Sequence, residues 1–230
     1  MEKDFSNPYL ITFLRLRKSI GFLAILFPLM LIVWAWVFGN CRTIQYAVSD
    51  YYYTASGDVF IGIIFAISWF LIAYKGYDRT DQWLTSSAGI CSILISVLPT
   101  GQNNDVQCTV RFVEEFSWRT TAHNILAVLF FLILAYMSYF QFTKSEGMTT
   151  MEKIDRNKVY RICAIIMLTA LVLIPVFSAF SIFPKVIFWM EWVALAAFGF
   201  SWLVKGGFVL KDKVGKDRRP TTEVGRIQEF

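Results

Sequence analysis

One histidine and one glutamate interrupt long apolar stretches of this 230-residue chain, and they are the first candidates for chemistry. His123, the only histidine, lies four residues after Arg119, and Glu191 lies six residues after Lys185. At about 1.5 Å of helix rise per residue, both side chains lie roughly 6–9 Å inside helices that are entered from the same side. An ionisable group inside an apolar helix is costly and indicates a partner or a water-filled cavity. We therefore expect the two side chains to face a common interior.

Further polar residues lie near the mouth of that interior, in the loop after the first apolar stretch and directly before the fourth. The predicted ligand-binding set comprises Ser49, Asp50, Asp58, Arg119, His123 and Glu191. One interpretation is an outward-facing polar pocket, in which a carboxylate holds and charges the imidazole for acid–base work or ligand capture. The other is a buried Glu–His pair that locks two helices together, with neighbouring tyrosines at the membrane interface.

Catalysis at this site would use His123 as the general base. Such a base needs a nucleophile or a metal within about 3 Å, and the hydroxyls that the sequence offers are those of Ser49, Thr54, Thr120 and Thr121. Zinc usually takes at least three protein ligands, and a single histidine is thin support for such a site. The usual phosphate-binding, dinucleotide, nucleophile-elbow and zinc-protease motifs are absent from the sequence. We expect no metal and no cofactor. The sequence is compatible with both an enzyme and a non-enzymatic binding protein.

Membrane helices are the elements that must position these residues. Hydrophobic residues make up 56% of the chain and charged residues only 17%, and the mean hydropathy is positive. This composition excludes a secreted disulfide scaffold, a disordered tail and a nucleic-acid-binding module. A helix needs about 20 apolar residues to cross roughly 30 Å of hydrocarbon. Suitable stretches cover residues 19–41, 59–74, 82–98, 120–143, 162–184 and 186–204.

The predicted fold is therefore all-α: a polytopic membrane protein whose single domain is a six-helix transmembrane bundle. A basic tail follows over residues 205–230. Lysines and arginines concentrate in cytoplasmic loops, and an N-terminus on the inside places 18 of the 22 on that side. The sequence thus predicts both termini in the cytoplasm and a multi-pass protein of the cell (inner) membrane. Membrane lipids are the expected partners, and nucleic acid is not.

Two of the four cysteines fall on the outer side in this topology. Cys41 ends the first stretch, and Cys108 lies in the loop before the fourth. An oxidising compartment would allow them to form one disulfide without any choice of connectivity, and the alternative is two free thiols.

The second and third helices are predicted to form a closely packed hairpin. Small residues at spacings of four mark close helix approach in lipid, and they occur as Gly62 and Ala66 in the second helix and as Ala88, Ser92 and Ser96 in the third. Asp78 and Asp81 in the connecting turn are interpreted as ion-paired residues at the headgroup level.

Several landmarks between about residues 21 and 142 resemble a known family. They are Ser49-Asp50 after the first helix, Phe60 and Gly62 in the second, Leu98-Pro99-Thr100 closing the third, and His123, Ala127 and Phe131 in the fourth. In these positions the chain resembles the DRAM/Frag-type six-helix membrane proteins and a related uncharacterised bacterial six-helix group. The resemblance implies a six-helix bundle with membrane-trafficking or lipid-linked roles, and it singles out Ser49, Asp50, Pro99 and His123.

The leading hypothesis is a non-enzymatic integral membrane protein. It binds a lipid or small amphiphile, or passes an ion, through the outward-facing polar pocket. The alternative is a membrane-embedded hydrolase or transferase that acts on a lipid headgroup with His123 as general base.

Overall fold

A computed structural model describes residues 8–76, 78–102, 106–113, 116–144, 150–180 and 185–210. This part of the chain contains six α-helices and no strand. The helices are α1 (Pro8–Gly39), α2 (Gly57–Ala73), α3 (Arg79–Val97), α4 (Ser117–Tyr136), α5 (Met151–Phe180) and α6 (Val186–Lys205). A short 3₁₀ helix, Ser49–Tyr53, follows α1, and a π-helical turn, Met137–Gln141, extends α4. The all-helical prediction is confirmed.

The helices pack in circular order. Each contacts the next along the chain, and α6 returns to contact α1, so that a ring is closed. Neighbours run antiparallel, because Arg17 near the start of α1 bonds both Tyr74 after α2 and the last residue of α6. Lys144 after α4 likewise pairs with Asp78 before α3. We call the end that carries these contacts the inner end and the opposite end the outer end.

Glycines set the closest approaches in the ring. A Cβ atom on Gly21 of α1 would lie 2.7 Å from the carbonyl oxygen of Gly199 on α6, and a Cβ on Gly199 would lie 2.5 Å from that of Gly21. A Cβ on Gly89 of α3 would lie 2.7 Å from the carbonyl oxygen of Ser68 on α2. The predicted α2–α3 hairpin is present, but its tight contact uses Gly89, whereas Gly62 faces open space. Backbone contact of this kind is typical of helix association in lipid.

Among the described residues, four segments are long and apolar enough to cross a membrane, by length and composition. They are Ile11–Gly39, Ser117–Gln141, Met151–Phe180 and Val186–Lys205. Gly57–Ala73 is a shorter apolar helix. The third predicted span differs from these, because α3 carries Arg79, Asp81 and several serine and threonine side chains along its length.

Two helices extend beyond their apolar stretches. Helix α1 begins at Pro8, and α5 begins at Met151 rather than near Ile162. The interval between the fourth and fifth predicted spans, residues 144–161, is therefore helical from Met151 onward, because charged residues such as Glu152 and Lys153 suit a helix in water as well as a loop. Most of the predicted tail, residues 211–230, lies outside the described residues.

Candidate functional site

The loop after α1 folds across the outer end of the ring. Cys41 and Cys108 are joined by a disulfide with their Cα atoms 5.7 Å apart. The Gln45 amide reinforces this junction: its nitrogen donates to the Gln107 carbonyl at 3.1 Å and its oxygen accepts from the Gln107 N–H at 3.0 Å. The loop from α1 is thereby fastened to the segment that leads into α4.

The same loop is held to α6 by two backbone groups. Phe188 N–H, in the first turn of α6, donates to the Tyr46 carbonyl at 2.8 Å. Val48 N–H donates to Oε2 of Glu191 at 2.7 Å. Directly beside them, Oδ2 of Asp50 accepts from the N–H of Ala47, three residues earlier in the chain, at 3.0 Å. Two carboxyl groups therefore bind adjacent amides, and they lie close enough to interact electrostatically.

A cavity of about 80 Å³ lies under this loop. Its walls come from α1, α2, α3, α4 and α6, with Val48 and Ser49 of the loop. Most of the surface is apolar and aromatic, formed by Phe27, Phe60, Phe130, Phe131 and Phe198 together with aliphatic side chains. Its polar lining residues are Ser49, Ser92, His123 and Glu191. We call this space the outer cavity.

His123 is buried, with 4% of its surface exposed, and is held by the end of α3. Its Nδ1 lies 2.7 Å from the carbonyl oxygen of Leu98. Helix α3 ends at Val97 and Pro99 follows, so this carbonyl is not used by a further turn of helix. A carbonyl can only accept, so Nδ1 carries the hydrogen, and in the neutral ring Nε2 is left as an acceptor.

His123 and Glu191 share the outer cavity, as their common depth suggests. They do not bind each other, since neither the hydrogen bonds nor the ion pairs among the described residues join the two side chains. The interpretation as a Glu–His pair is therefore wrong for this structure. Each group is instead bound by backbone from the segment closest to it, Val48 for the glutamate and Leu98 for the histidine.

The remaining residues of the predicted set divide between the cavity and the surface. Ser49 lines the cavity, and Asp50 is buried beside it in the turn. Asp58 lies elsewhere: its side chain is 89% exposed and pairs with Arg111 at 2.6 Å. Arg119 packs its guanidinium over the Phe116 ring at 5.1 Å and does not line the cavity.

Three of the four hydroxyls proposed as nucleophiles are hydrogen-bonded elsewhere or exposed, and the fourth, Ser49, lines the cavity without a hydrogen bond to His123. Thr54 donates to the Tyr51 carbonyl, and the Thr120 hydroxyl accepts from the Gly101 N–H. Thr121 is exposed. Among the described residues no hydroxyl hydrogen-bonds to His123, so the cavity lacks the bonded nucleophile–base pair that the hydrolase hypothesis requires.

Two features of the site were missed from the sequence. Ser92 lines the cavity, although its spacing from Ala88 was interpreted as helix packing alone. Tyr51 forms part of the core and is 0% exposed, whereas the tyrosines next to the predicted site were expected at the membrane interface. Burial raises the pKa of Tyr51 to about 12, so its hydroxyl stays neutral. Neither position carries a sequence signal, since small and aromatic residues occur on every helix of this chain.

Within the described ranges, no group of three or more His, Cys, Asp or Glu side chains comes together in a way that could hold a metal ion. No protein-family model, curated protein or solved structure matches the chain. The resemblance to the DRAM/Frag-type proteins stays a prediction.

Proposed function

We propose that this chain is a six-span membrane protein, with both termini in the cytoplasm, that binds a small amphiphile in the outer cavity. The topology is supported by the segregation of charge between the two ends of the ring. Arg17, Lys144 and Lys205 all lie at the inner end, where cytoplasmic cations are expected, and the disulfide lies at the outer end.

The size and lining of the cavity indicate the kind of ligand. A buried water needs at least roughly 10–15 Å³, so about 80 Å³ accommodates several waters or the end of a small amphiphile. Aromatic and aliphatic walls suit an alkyl chain. The polar groups are concentrated on one loop and on three helices, which suits a single polar end group.

Hydrogen-bond polarity narrows the ligand class further, and it is the observation that carries the proposal. His123 donates its N–H to Leu98, which leaves its Nε2 as an acceptor in the cavity. A complementary end group is a donor. We therefore propose an amphiphilic alcohol or amine, and not a fatty acid.

Binding is favoured over ion passage by the aromatic residues between the two ends of the ring. Phe198, which lines the cavity, packs against Trp202 with ring centroids 6.0 Å apart. Trp202 in turn packs against Tyr74 and Phe142, and it is 1% exposed. These rings close the cavity toward the inner end.

The test measures binding of three probes with the same chain length: decanol, decylamine and decanoate. We expect native mass spectrometry from phosphatidylcholine nanodiscs to retain the alcohol or the amine, with a matching rise in the melting temperature. Ala127→Phe places a ring in the cavity and should abolish both effects. Val128→Phe is the matched control, because Val128 is the next residue on α4 and is 45% exposed.

Two outcomes contradict the proposal. Equal retention of decanoate would show that the end group is not selected as a donor. Equal loss in Ala127→Phe and Val128→Phe would show that binding occurs elsewhere on the protein surface.

A further inference from the structure

The outer cavity is open on one side of the ring. Its described lining residues on α1, α2 and α3 are all buried. Four other lining residues keep part of their surface exposed, namely Ser49 of the loop, Ala127 of α4, and Glu191 and Leu195 of α6. Lining residues that are partly exposed mark the place where a cavity meets its surroundings. The cavity therefore opens between α4 and α6, and we call this gap the side opening.

Helix α5 does not cover the side opening. It contacts both α4 and α6, yet none of its described residues lines the cavity. The buried residues of α5 are Tyr160, Cys163, Ala164, Met167 and Ala170. From Leu171 to Phe180 no residue is buried, and this outer part of the helix contains Pro175. The outer part of α5 therefore packs less closely on the ring than its middle does, and the cavity stays accessible beside it.

The side opening lies at the depth of the acyl chains. Ala127 comes eight residues after Arg119, and Leu195 comes ten residues after Lys185. At about 1.5 Å per residue, the two side chains lie roughly 12–15 Å inside helices entered from the outer side. One half of the hydrocarbon layer is about 15 Å thick. In the proposed topology the opening therefore faces the outer leaflet, and its apolar rim of Ala127 and Leu195 suits an alkyl chain.

The loop above the cavity separates it from the water outside. This loop is fastened by the Cys41–Cys108 disulfide, and Val48 N–H donates to Glu191 on α6 at 2.7 Å. A ligand that arrived from water through this roof would have to displace the loop. A ligand that arrived through the side opening would leave these contacts intact.

We infer that the ligand of the outer cavity is an uncharged lipid alcohol of the outer leaflet, which enters through the side opening. This inference rests on the proposed function and narrows it. The cavity accommodates only the end of an amphiphile, so the chain stays outside among the acyl chains. A charged end group at hydrocarbon depth is costly, which disfavours an ammonium group. A hydroxyl is uncharged and still donates to Nε2 of His123.

The test uses a photoreactive hexadecanol that carries a diazirine near the middle of its chain. The full chain is labelled in phosphatidylcholine nanodiscs, and the labelled peptides are mapped by mass spectrometry. We expect labels on the outer halves of α4, α5 and α6, and excess decanol should reduce them several-fold. A phosphatidylcholine with the same diazirine-bearing chain reports contact with bulk lipid, and decanol should leave its labelling unchanged.

A variant at the rim of the opening gives an independent measurement. Leu195→Trp narrows the opening and should also reduce the hexadecanol labels several-fold. Val193→Trp is the matched control, because Val193 lies on the same helix, is 42% exposed and does not line the cavity. Equal loss in the two variants would overturn the side opening. The competition by decanol needs no substitution, so it decides the matter even where a variant folds poorly.

The outcomes separate this inference from the proposed function. If decanol, decylamine and decanoate all fail to bind, the proposed function itself is wrong. If decanol binds but leaves the hexadecanol labels unchanged, or if the labels fall on the loop after α1, the cavity is filled from water and only the side opening is wrong. If decylamine displaces the hexadecanol as well as decanol does, the end group is not selected for lack of charge.

Discussion

The outer and inner ends of the ring are held together by different interactions. At the outer end, a disulfide and backbone amides bound by Gln45, Asp50 and Glu191 fix one loop in place. At the inner end, cations, aromatic rings and an ion pair join the helices. The outer loop is therefore fixed by a covalent bond and by backbone hydrogen bonds, whereas the inner end is joined mainly by charged and aromatic side chains.

Removing the disulfide should produce the largest loss of stability, and this loss should arise at the outer end alone. The bridge links residues 67 apart in sequence, and loss of such a constraint typically costs about 2–4 kcal/mol of unfolding free energy. We expect this loss in Cys41→Ser/Cys108→Ser, measured by unfolding in nanodiscs. Cys91→Ser is the control, since Cys91 is a free cysteine. If the two variants are equally stable, and Cys41 and Cys108 are both alkylated in native membranes, then no disulfide holds the outer end.

Substitution of Glu191, which also lies at the outer end, should cause a smaller loss of stability. Glu191→Leu leaves the Val48 N–H without its acceptor, which costs about 1–3 kcal/mol when the amide is buried. Glu191→Gln retains an acceptor oxygen and should lose clearly less. Thermal unfolding of both variants separates the roles of the hydrogen bond and the carboxyl charge. If the glutamine variant loses as much as the leucine variant, the carboxyl charge and not the hydrogen bond holds the loop.

The ion pair of the inner end should give the smallest effect, visible only through its pH dependence. The hydrogen bond from Lys144 holds the pKa of Asp78 below its usual value. A carboxyl with a lowered folded pKa contributes stability above its unfolded pKa, and this contribution is lost as the pH falls through the folded pKa. The melting-temperature difference between the wild type and Asp78→Asn should be constant near neutral pH and shrink below the ordinary pKa of aspartate. Asparagine keeps a cap for α3, so only the charge is tested.

Lys144→Gln provides the check on that assignment. In this background Asp78→Asn should cause a smaller pH-dependent change, because the Asp81 N–H still lowers the pKa of Asp78 after Lys144 is replaced. A pH-dependent difference of unchanged size there would mean that Lys144 is not the group that lowers the pKa of Asp78 most.

The helices could be predicted because the uncharged stretches, and the charged residues that bound them, are visible in the sequence. Helix α5 shows the limit of this signal, since its first turns are charged yet helical. Counting residues gave the depth of His123 and Glu191, and the structure brings both to one cavity. Depth carries no information on direction around the ring, so Asp58 was wrongly placed at the cavity, although it pairs with Arg111.

The backbone partners of the site could not have been predicted. Val48 and Leu98 bind the two ionisable groups through amide and carbonyl atoms, which every residue possesses. No residue type marks such a position in a sequence. The fold of the loop after α1 decides it, and that fold depends on contacts with Phe188 and Gln107 that are distant along the chain.

The glycine contact between α1 and α6 has a consequence for the synthesis of the protein on the ribosome. The ring closes where Gly21 meets Gly199, and these residues belong to the first and the last of its helices. At about 5–20 residues per second, a ribosome needs roughly 10–40 s to travel from one to the other. During this interval α1 lacks the helix that it approaches most closely, and the outer cavity lacks the wall that contains Glu191. The packing of α6 against α1 is thus the step that completes the ring, and until then the glycine face of α1 has no partner helix.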